Sequence, residues 1–457
     1  MKGLIDACTV LGAIAAETGI KPALIYVNFI PQSLTASELS SPDATIHPPP
    51  STLHPSPFTK TLPPAIPSLQ KLQAALQTPR WRWRPESPLA IDRPITPQPQ
   101  ERSLPATASD QLELVIVTPT LVIRKRLPTA TRRQVQKTAN QLLGTVTNRN
   151  KLGSTDYLAP AQQLYQWLIA PLEGELKAQN IDHLVFIMDT GLRSLPLATL
   201  HDGQNFIIER YSVGLMPSLS LTDTRYRDIR DQQVLAMGAE TFTPAANQSP
   251  LPGVPLELAA ITTELWPGKS FLNQDFTPKR LKQARRTKPF GIIHLATHAE
   301  FWPDAPDSSY IQFWNQKQTF TDLRQANLFG SPIELAVFSA CRTALGNEEK
   351  ELGFAGLAVQ AGVKSALGSL WYVSDEGTTS FMASFYQQLK QVPIKAEAVR
   401  RTQLAMLQGE VRLEAGNLVT PGSLSGLSLP AALAELGDKD LTHPYYWSGF
   451  VLVGNPW

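Results

Sequence analysis

The runs FGIIHLATHAEF (290–301) and ELAVFSACRTALG (334–346) decide how this chain folds. Each is apolar and rich in β-branched or aromatic residues, then ends at a polar side chain: His298 in the first and Cys341 in the second. Short continuous apolar runs with such ends read as strands buried on both faces, the mark of a parallel sheet covered by helices. Side chains at the C-terminal ends of parallel strands line the crevice where ligands bind. If these two strands adjoin, an imidazole stands next to a thiol at that crevice.

Further runs of the same kind extend the pattern in both directions. HLVFIMD (183–189), QVLAMGAE (233–240), ALGSLWYV (366–373) and SGFVLVG (448–454) are candidate buried strands. Helical segments such as LELAAITTELW (256–266), AGLAVQAG (355–362) and SFMASFYQQLK (380–390) lie between them. Ahead of these, TATRRQVQKTANQLLGTV (129–146) opens with Thr caps and PAQQLYQWLIAPLEGELKAQ (160–179) carries apolar residues at three- and four-residue spacing. Strands alternating with helices predict an α/β fold with a mostly parallel central sheet between two helical layers. No repeat with a period of about 20–50 residues is visible, which disfavours a solenoid.

The N-terminal third is built differently. Residues 41–105 contain 16 of the chain's 39 prolines, with few large aliphatic residues. Such a segment cannot bury enough apolar area to offset its ordering entropy, so residues 35–108 are expected to form a disordered, proline-rich flexible linker. PALIYVNFIP (22–31) before it and LELVIVTP (112–119) after it are both strand-like, with a third such run in LVIRKRLP (121–128). The simplest account pairs the first two in one sheet. The linker is then an insertion between an N-terminal segment, 1–34, and a main domain, 109–457. Within the linker, RWRWRP (80–85) could stack on single-stranded nucleic acid or sit at a membrane interface. So short a run in a flexible segment does not make such a site, and a short docking element for a partner, or no role, is the plainer reading.

Bulk properties narrow the function. A net charge of +2 over 457 residues gives no global attraction to nucleic acid or membrane, so neither is an expected partner. No apolar run reaches the roughly 18 residues needed to cross a bilayer. The N-terminal MKGLIDACTVLGAIAAETG has one basic residue and is interrupted by Asp6, which makes a poor signal peptide. Two cysteines, Cys8 and Cys341, are too few for a disulfide framework and suit a reducing, cytoplasmic location.

Cys341 and His298 are the candidate catalytic pair. A cysteine at a strand end is often only packed, but Arg342 follows this one, and a nearby cation favours the reactive thiolate. His294 and His298 form an HxxxH pair, which on a helix could hold a metal. Here the run reads as strand, Leu295 stands where a metalloprotease would need Glu, and no third ligand suggests itself. Neither a metal nor a cofactor is expected. A thiolate at Cys341 attacking a scissile carbonyl, with His298 protonating the leaving amine, is the chemistry of a cysteine peptidase.

The stretches HLATHAEF, ELAVFSACRTALG, ELGFAGLAVQAGVKSALGSLWYVSDEGTTSFMASFYQQL and HPYYWSGFVLVGNPW resemble a CHAT domain, a family of the caspase and separase clan of cysteine peptidases. DHLVFIMDTGLRSLPLATLHDG (182–203) is similar to that family's first core strand and turn, and the whole is most like cyanobacterial members. The resemblance implies a caspase-like three-layer sandwich with His298 and Cys341 as the dyad and the backbone N–H groups of Ala299 and Cys341 as oxyanion donors. Clan members usually have glycine after the histidine; Ala299 keeps the N–H but narrows the allowed backbone angles. SLWYVSDEG resembles the separase stretch that supplies an acidic recognition residue, so Asp375 could read a basic P1 side chain, or it could simply cap a helix. Asp189 and Arg193 stand where caspases also place specificity residues. The implied activity is endopeptidase cleavage of a protein substrate in a regulatory pathway; the alternative is an inactive peptidase-like scaffold that binds protein partners. CHAT domains commonly follow tetratricopeptide repeats, none of which is visible here, so either a regulatory protein acting in trans or an upstream gene start is expected.

Overall fold

The computed structural model describes residues 4–31, 45–46, 107–302, 308–325, 333–339, 353–422 and 426–457. Cys341, the RWRWRP patch and nearly all of the proline-rich segment lie outside them. Within the expected linker, Thr45–Ile46 forms a two-residue strand.

Among the described residues, twelve strands make one sheet. Along it come β2 (Thr45–Ile46), β4 (Val122–Thr131), β3 (Gln111–Val117), β1 (Pro22–Ile30), β5 (His183–Met188), β6 (Ser212–Leu215), β18 (Phe450–Gly454), β14 (Ser365–Ser369), β13 (Leu335–Ser339), β9 (Ile292–Ala296), β7 (Val234–Gly238) and β8 (Gly268–Leu272). Two small antiparallel sheets complete the set: β10 (Ala299–Glu300), β11 (Tyr310–Gln312) and β12 (Lys317–Thr319), then β15 (Arg412–Glu414), β16 (Asn417–Val419) and β17 (Leu427–Ser428).

The expected pairing of the leading strands holds: β1 runs antiparallel to β3, Leu24 opposite Val117 and Ile30 opposite Gln111. Beyond the antiparallel β2, β4 and β3, the large sheet consists of two parallel blocks. β1, β5, β6 and β18 run one way, and β14, β13, β9, β7 and β8 run the other. The blocks meet at an antiparallel seam between β18 and β14. Strand C-termini of the two blocks therefore emerge at opposite edges of the sheet, and only the second block carries His298.

Composition explains the central strands. Every residue of β7, β9, β13 and β14 is buried, which the apolar runs VLAMG, IIHLA and LAVFS require. His294 is the exception in chemistry, an ionisable ring with no exposed surface inside β9. At the N-terminus the helix Leu4–Thr18 buries Ala7, Cys8, Leu11 and Ile14 at 3–4-residue spacing. The helix Arg132–Val146 starts as its sequence predicts, with Thr131 and Gln134 forming a reciprocal capping box. Among the described residues no helix is long and apolar enough to cross a membrane.

Candidate active site

β9 and β13 are adjacent and parallel, with Ser339 opposite Ala296 at their C-terminal ends. The Thr297 N–H donates to the Ser339 carbonyl at 3.2 Å, carrying the register one residue further. His298 follows directly, half-buried, in the turn before β10. In the sequence it stands two residues past Ala296, as Cys341 stands two past Ser339.

The loop after β7 sets the orientation of His298. Asn273 Oδ1 accepts from the N–H groups of Glu240 and Thr241 (2.8 and 3.2 Å), and the Leu251 N–H returns to the Glu240 carbonyl (2.8 Å), closing the loop into a fixed arch. From this arch the Ser249 carbonyl lies 2.8 Å from His298 Nε2, and the Phe242 ring packs at 5.2 Å from the imidazole. A carbonyl only accepts, so Nε2 carries the proton and Nδ1 presents its lone pair. Burial holds the His298 pKa below its ordinary 6.5, opposed by the bond to Ser249. The ring is therefore neutral at pH 7 and able to take a proton.

Ala299 pairs with Ile311 across β10 and β11. The bond at that level runs from the Gln312 N–H to the His298 carbonyl (2.9 Å), so the pair is the non-hydrogen-bonded kind. The Ala299 N–H consequently faces away from β11, and Ala299 does not have a positive φ. Alanine thus suits this backbone, and its N–H is not used by the pairing with β11.

Beside this end of β9 and β13 is a small cleft whose cavity, about 20 Å³, has room for about one water molecule and is lined by residues including Thr297, Ser339, Ser369, Tyr372, Asp375 and Glu257. Its wall at 370–374 is fixed from the C-terminal segment: the Leu370 N–H donates to the Gly449 carbonyl, Trp371 Nε1 to the Tyr445 carbonyl, and the Tyr445 hydroxyl to the Tyr372 carbonyl. Ser374, not Asp375, is the N-cap of the helix Asp375–Gln391, which corrects the capping alternative for Asp375. The Asp375 carboxylate instead accepts from the Gly253 N–H at 2.7 Å. Gly253 has no room for a side chain, since a Cβ there would collide with Thr379 Oγ1 and lie 3.0–3.1 Å from both Asp375 oxygens. Burial pushes the Asp375 carboxyl up to about 6, the Gly253 bond opposes this, and the Glu257 and Glu376 charges add to it.

Asp189 and Arg193 are placed elsewhere. They follow β5, whose C-terminal end emerges at the opposite edge of the sheet, because β5 belongs to the block running against β9. Asp189 binds Arg132 (3.0 Å) and the Phe29 N–H (3.0 Å), and Arg193 donates to the Met188 carbonyl (3.1 Å). The histidine strand's other neighbour, opposite β13, is β7. Sequence reasoning missed the contributions of Phe242, Ser249 and Gly253 from the loop that follows it. A backbone carbonyl leaves no trace in residue type; only the turn-like LPGVP (251–255) hinted at Gly253.

A protein-family model, the CHAT domain, matches residues 158–455. No curated protein matches the chain in sequence. Among solved structures it is similar to separase in the Saccharomyces cerevisiae separase–securin complex, with a TM-score of 0.46 and 10% identity over 76% of this chain and 29% of separase. It is also similar to the Arg-specific cysteine proteinase gingipain R (TM-score 0.40, 11% identity, 71% of this chain and 74% of that one). A secreted C11 cysteine protease from Bacteroides thetaiotaomicron, solved with an irreversible peptide inhibitor, gives 0.28 and 10% over 40% and 61% of the two chains. The architecture is mixed α/β with a large, mostly parallel sheet. The family match takes in more than half of the residues and both runs that ended in His298 and Cys341: the chain belongs to the CHAT domain family.

Proposed function

We propose that the protein is a cysteine endopeptidase of the caspase and separase type, with Cys341 as nucleophile and His298 as general acid and base, acting on a protein substrate in a regulatory pathway. The observation that carries this reading is the register of β9 and β13. With Ser339 opposite Ala296, His298 and Cys341 each stand two residues past the same rung. Two residues span at most about 7 Å, and neighbouring strands lie about 4.8 Å apart.

In the proposed reaction, neutral His298 accepts the Cys341 thiol proton at Nδ1 as sulfur bonds to the scissile carbonyl carbon. The oxyanion is held by the N–H groups of Ala299 and Cys341. The imidazolium then returns the proton to the departing amine, leaving a thioester. Water attacks the thioester with His298 as base, releasing the acid and restoring the thiol. Asp375, in the adjoining cleft, gives the substrate's P1 residue a carboxylate partner and so favours Arg or Lys.

The test is incubation of the full-length protein with a peptide library diverse at P1. Cleavage after Arg or Lys that iodoacetamide abolishes is the expected result. A library left intact, or cut regardless of alkylation, overturns the proposal.

A further inference from the structure

Two segments grip His298, and one short turn anchors both. The turn is Asn273–Asp275, which follows β8. On the imidazole side, the ladder of β7 ends where the Ala239 N–H donates to the Ala296 carbonyl at 3.1 Å. The next two N–H groups, of Glu240 and Thr241, pass to Asn273 Oδ1, and the arch they open ends with the Ser249 carbonyl against His298 Nε2. On the backbone side, the Gln312 N–H holds the His298 carbonyl at 2.9 Å. Two residues on, the Trp314 N–H donates to the Phe276 carbonyl just past the turn, and the Trp314 carbonyl accepts from Thr243 in the arch, both at 3.2 Å. Phe276 and Phe313 have no exposed surface and stack at 4.5 Å, which fixes the turn against this second segment.

Residue 273 suits this place in both backbone and side chain. Its φ is +51°, in the left-handed region that asparagine enters far more readily than bulky or β-branched residues. An amide oxygen has two lone pairs, and the two N–H groups that open the arch both fall on this one oxygen. β8 lies two strands away from β9 in the sheet, so Asn273 acts on the imidazole through the arch. If the arch loosens, the Ser249 carbonyl leaves Nε2. The ring can then turn, or carry its proton on Nδ1, and in either state the Nδ1 lone pair is no longer held ready.

We propose that Asn273 is a positioning residue for His298: by clamping the start of the arch it keeps the Ser249 carbonyl on Nε2 and so fixes the tautomer and orientation of the imidazole. This rests on the peptidase reading of His298 and deepens it, because the proton-accepting form of the ring is set by a side chain from the edge of the sheet that takes no part in the chemistry.

The test compares full-length wild type with Asn273→Gly, Asn273→Ala and Asn273→Asp, by cleavage of an Arg-P1 peptide and by nitrogen-15 NMR of imidazole-labelled histidine. The His298 signals are assigned by their loss in His298→Ala, and spectra are taken at about pH 8, above the ordinary histidine pKa. Glycine keeps the left-handed backbone and removes the acceptor. Alanine removes the acceptor without adding glycine's freedom, and serves where the glycine protein does not fold. Aspartate keeps an oxygen in the same place. In wild type the two ring nitrogens give widely separated signals, one protonated and one bare. In Asn273→Gly and Asn273→Ala these signals move toward each other, and kcat falls by about tenfold or more with KM little changed. Asn273→Asp recovers both the signals and most of the rate. Ring signals that match wild type in the glycine or alanine protein overturn the inference, whatever the rates do, and so does an aspartate protein as impaired as the glycine one. If wild type cleaves nothing, the peptidase reading has failed and the ring signals alone decide. Movement in Asn273→Gly that Asn273→Asp reverses supports the positioning role, and no movement overturns it.

Discussion

Replacing either Cys341 or His298 with alanine reduces peptide cleavage by about a thousandfold or more, and replacing both reduces it no further. Positioned proton transfer contributes roughly 10²–10⁴-fold, and residues that act as a unit are strongly non-additive. The expectation for His298 follows from its setting. The Ser249 carbonyl fixes the proton on Nε2, and burial keeps the ring neutral at pH 7, so the side chain is prepared to accept a proton. A profile of kcat/KM against pH should hold level down through 6.5 and fall below it, as His298 protonates. Cleavage that survives in His298→Ala at wild-type rate would assign the base elsewhere.

Asp375→Asn is expected to lower kcat/KM for basic P1 peptides by about a hundredfold, mostly through KM, and at the same time to stabilise the fold. The two effects have one cause. The Asp375 carboxyl is raised from 3.8 to about 6, so the ionised form is disfavoured in the folded chain. At pH 8, above both values, ionisation costs roughly 3 kcal/mol of stability, and below pH 4, where the group is protonated folded or unfolded, the cost is gone. Asparagine keeps an oxygen to accept from Gly253 and carries no charge. Denaturant titration should therefore show Asp375→Asn more stable than wild type at pH 8 and equal to it near pH 4. In wild type, KM for an Arg peptide should rise as pH falls through about 6, where the carboxylate is lost. A variant less stable at pH 8 with P1 preference intact would make Asp375 a structural residue.

The strands were legible because their chemistry is one-dimensional. IIHLA and LAVFS are apolar without interruption, and such runs belong in the middle of a sheet. That placed β9 and β13, and with the first of them His298. The pairing of β1 with β3 across a long insertion was legible for the same reason. Edge and short strands such as β8, GKSFL, and the hairpin β10–β12 carry weak local signals and owe their form to their neighbours. Direction was the larger gap. Nothing in HLVFIMD says that it runs against β9, and the seam between β18 and β14 alone moves Asp189 and Arg193 to the far edge. The support of the candidate site comes from contacts distant in sequence: Ser249 to His298, Gly253 to Asp375, and both Glu257 and Tyr386 to His294. His294 was visible as part of an HxxxH pair but not its role, because its partners come from two other elements.

The central claim, a thiol at Cys341 made reactive beside His298, is tested most directly by mapping where a peptidyl electrophile attaches. The full-length protein is treated with a substoichiometric acyloxymethyl ketone bearing arginine at P1 and analysed by peptide mass spectrometry. Cys8 is an internal control, since it is buried in the helix Leu4–Thr18 and burial raises its pKa. The account predicts an adduct on Cys341 alone, formed at least a hundredfold more slowly in His298→Ala. Equal labelling of Cys8 and Cys341, or labelling of Cys341 that is indifferent to His298, would contradict it.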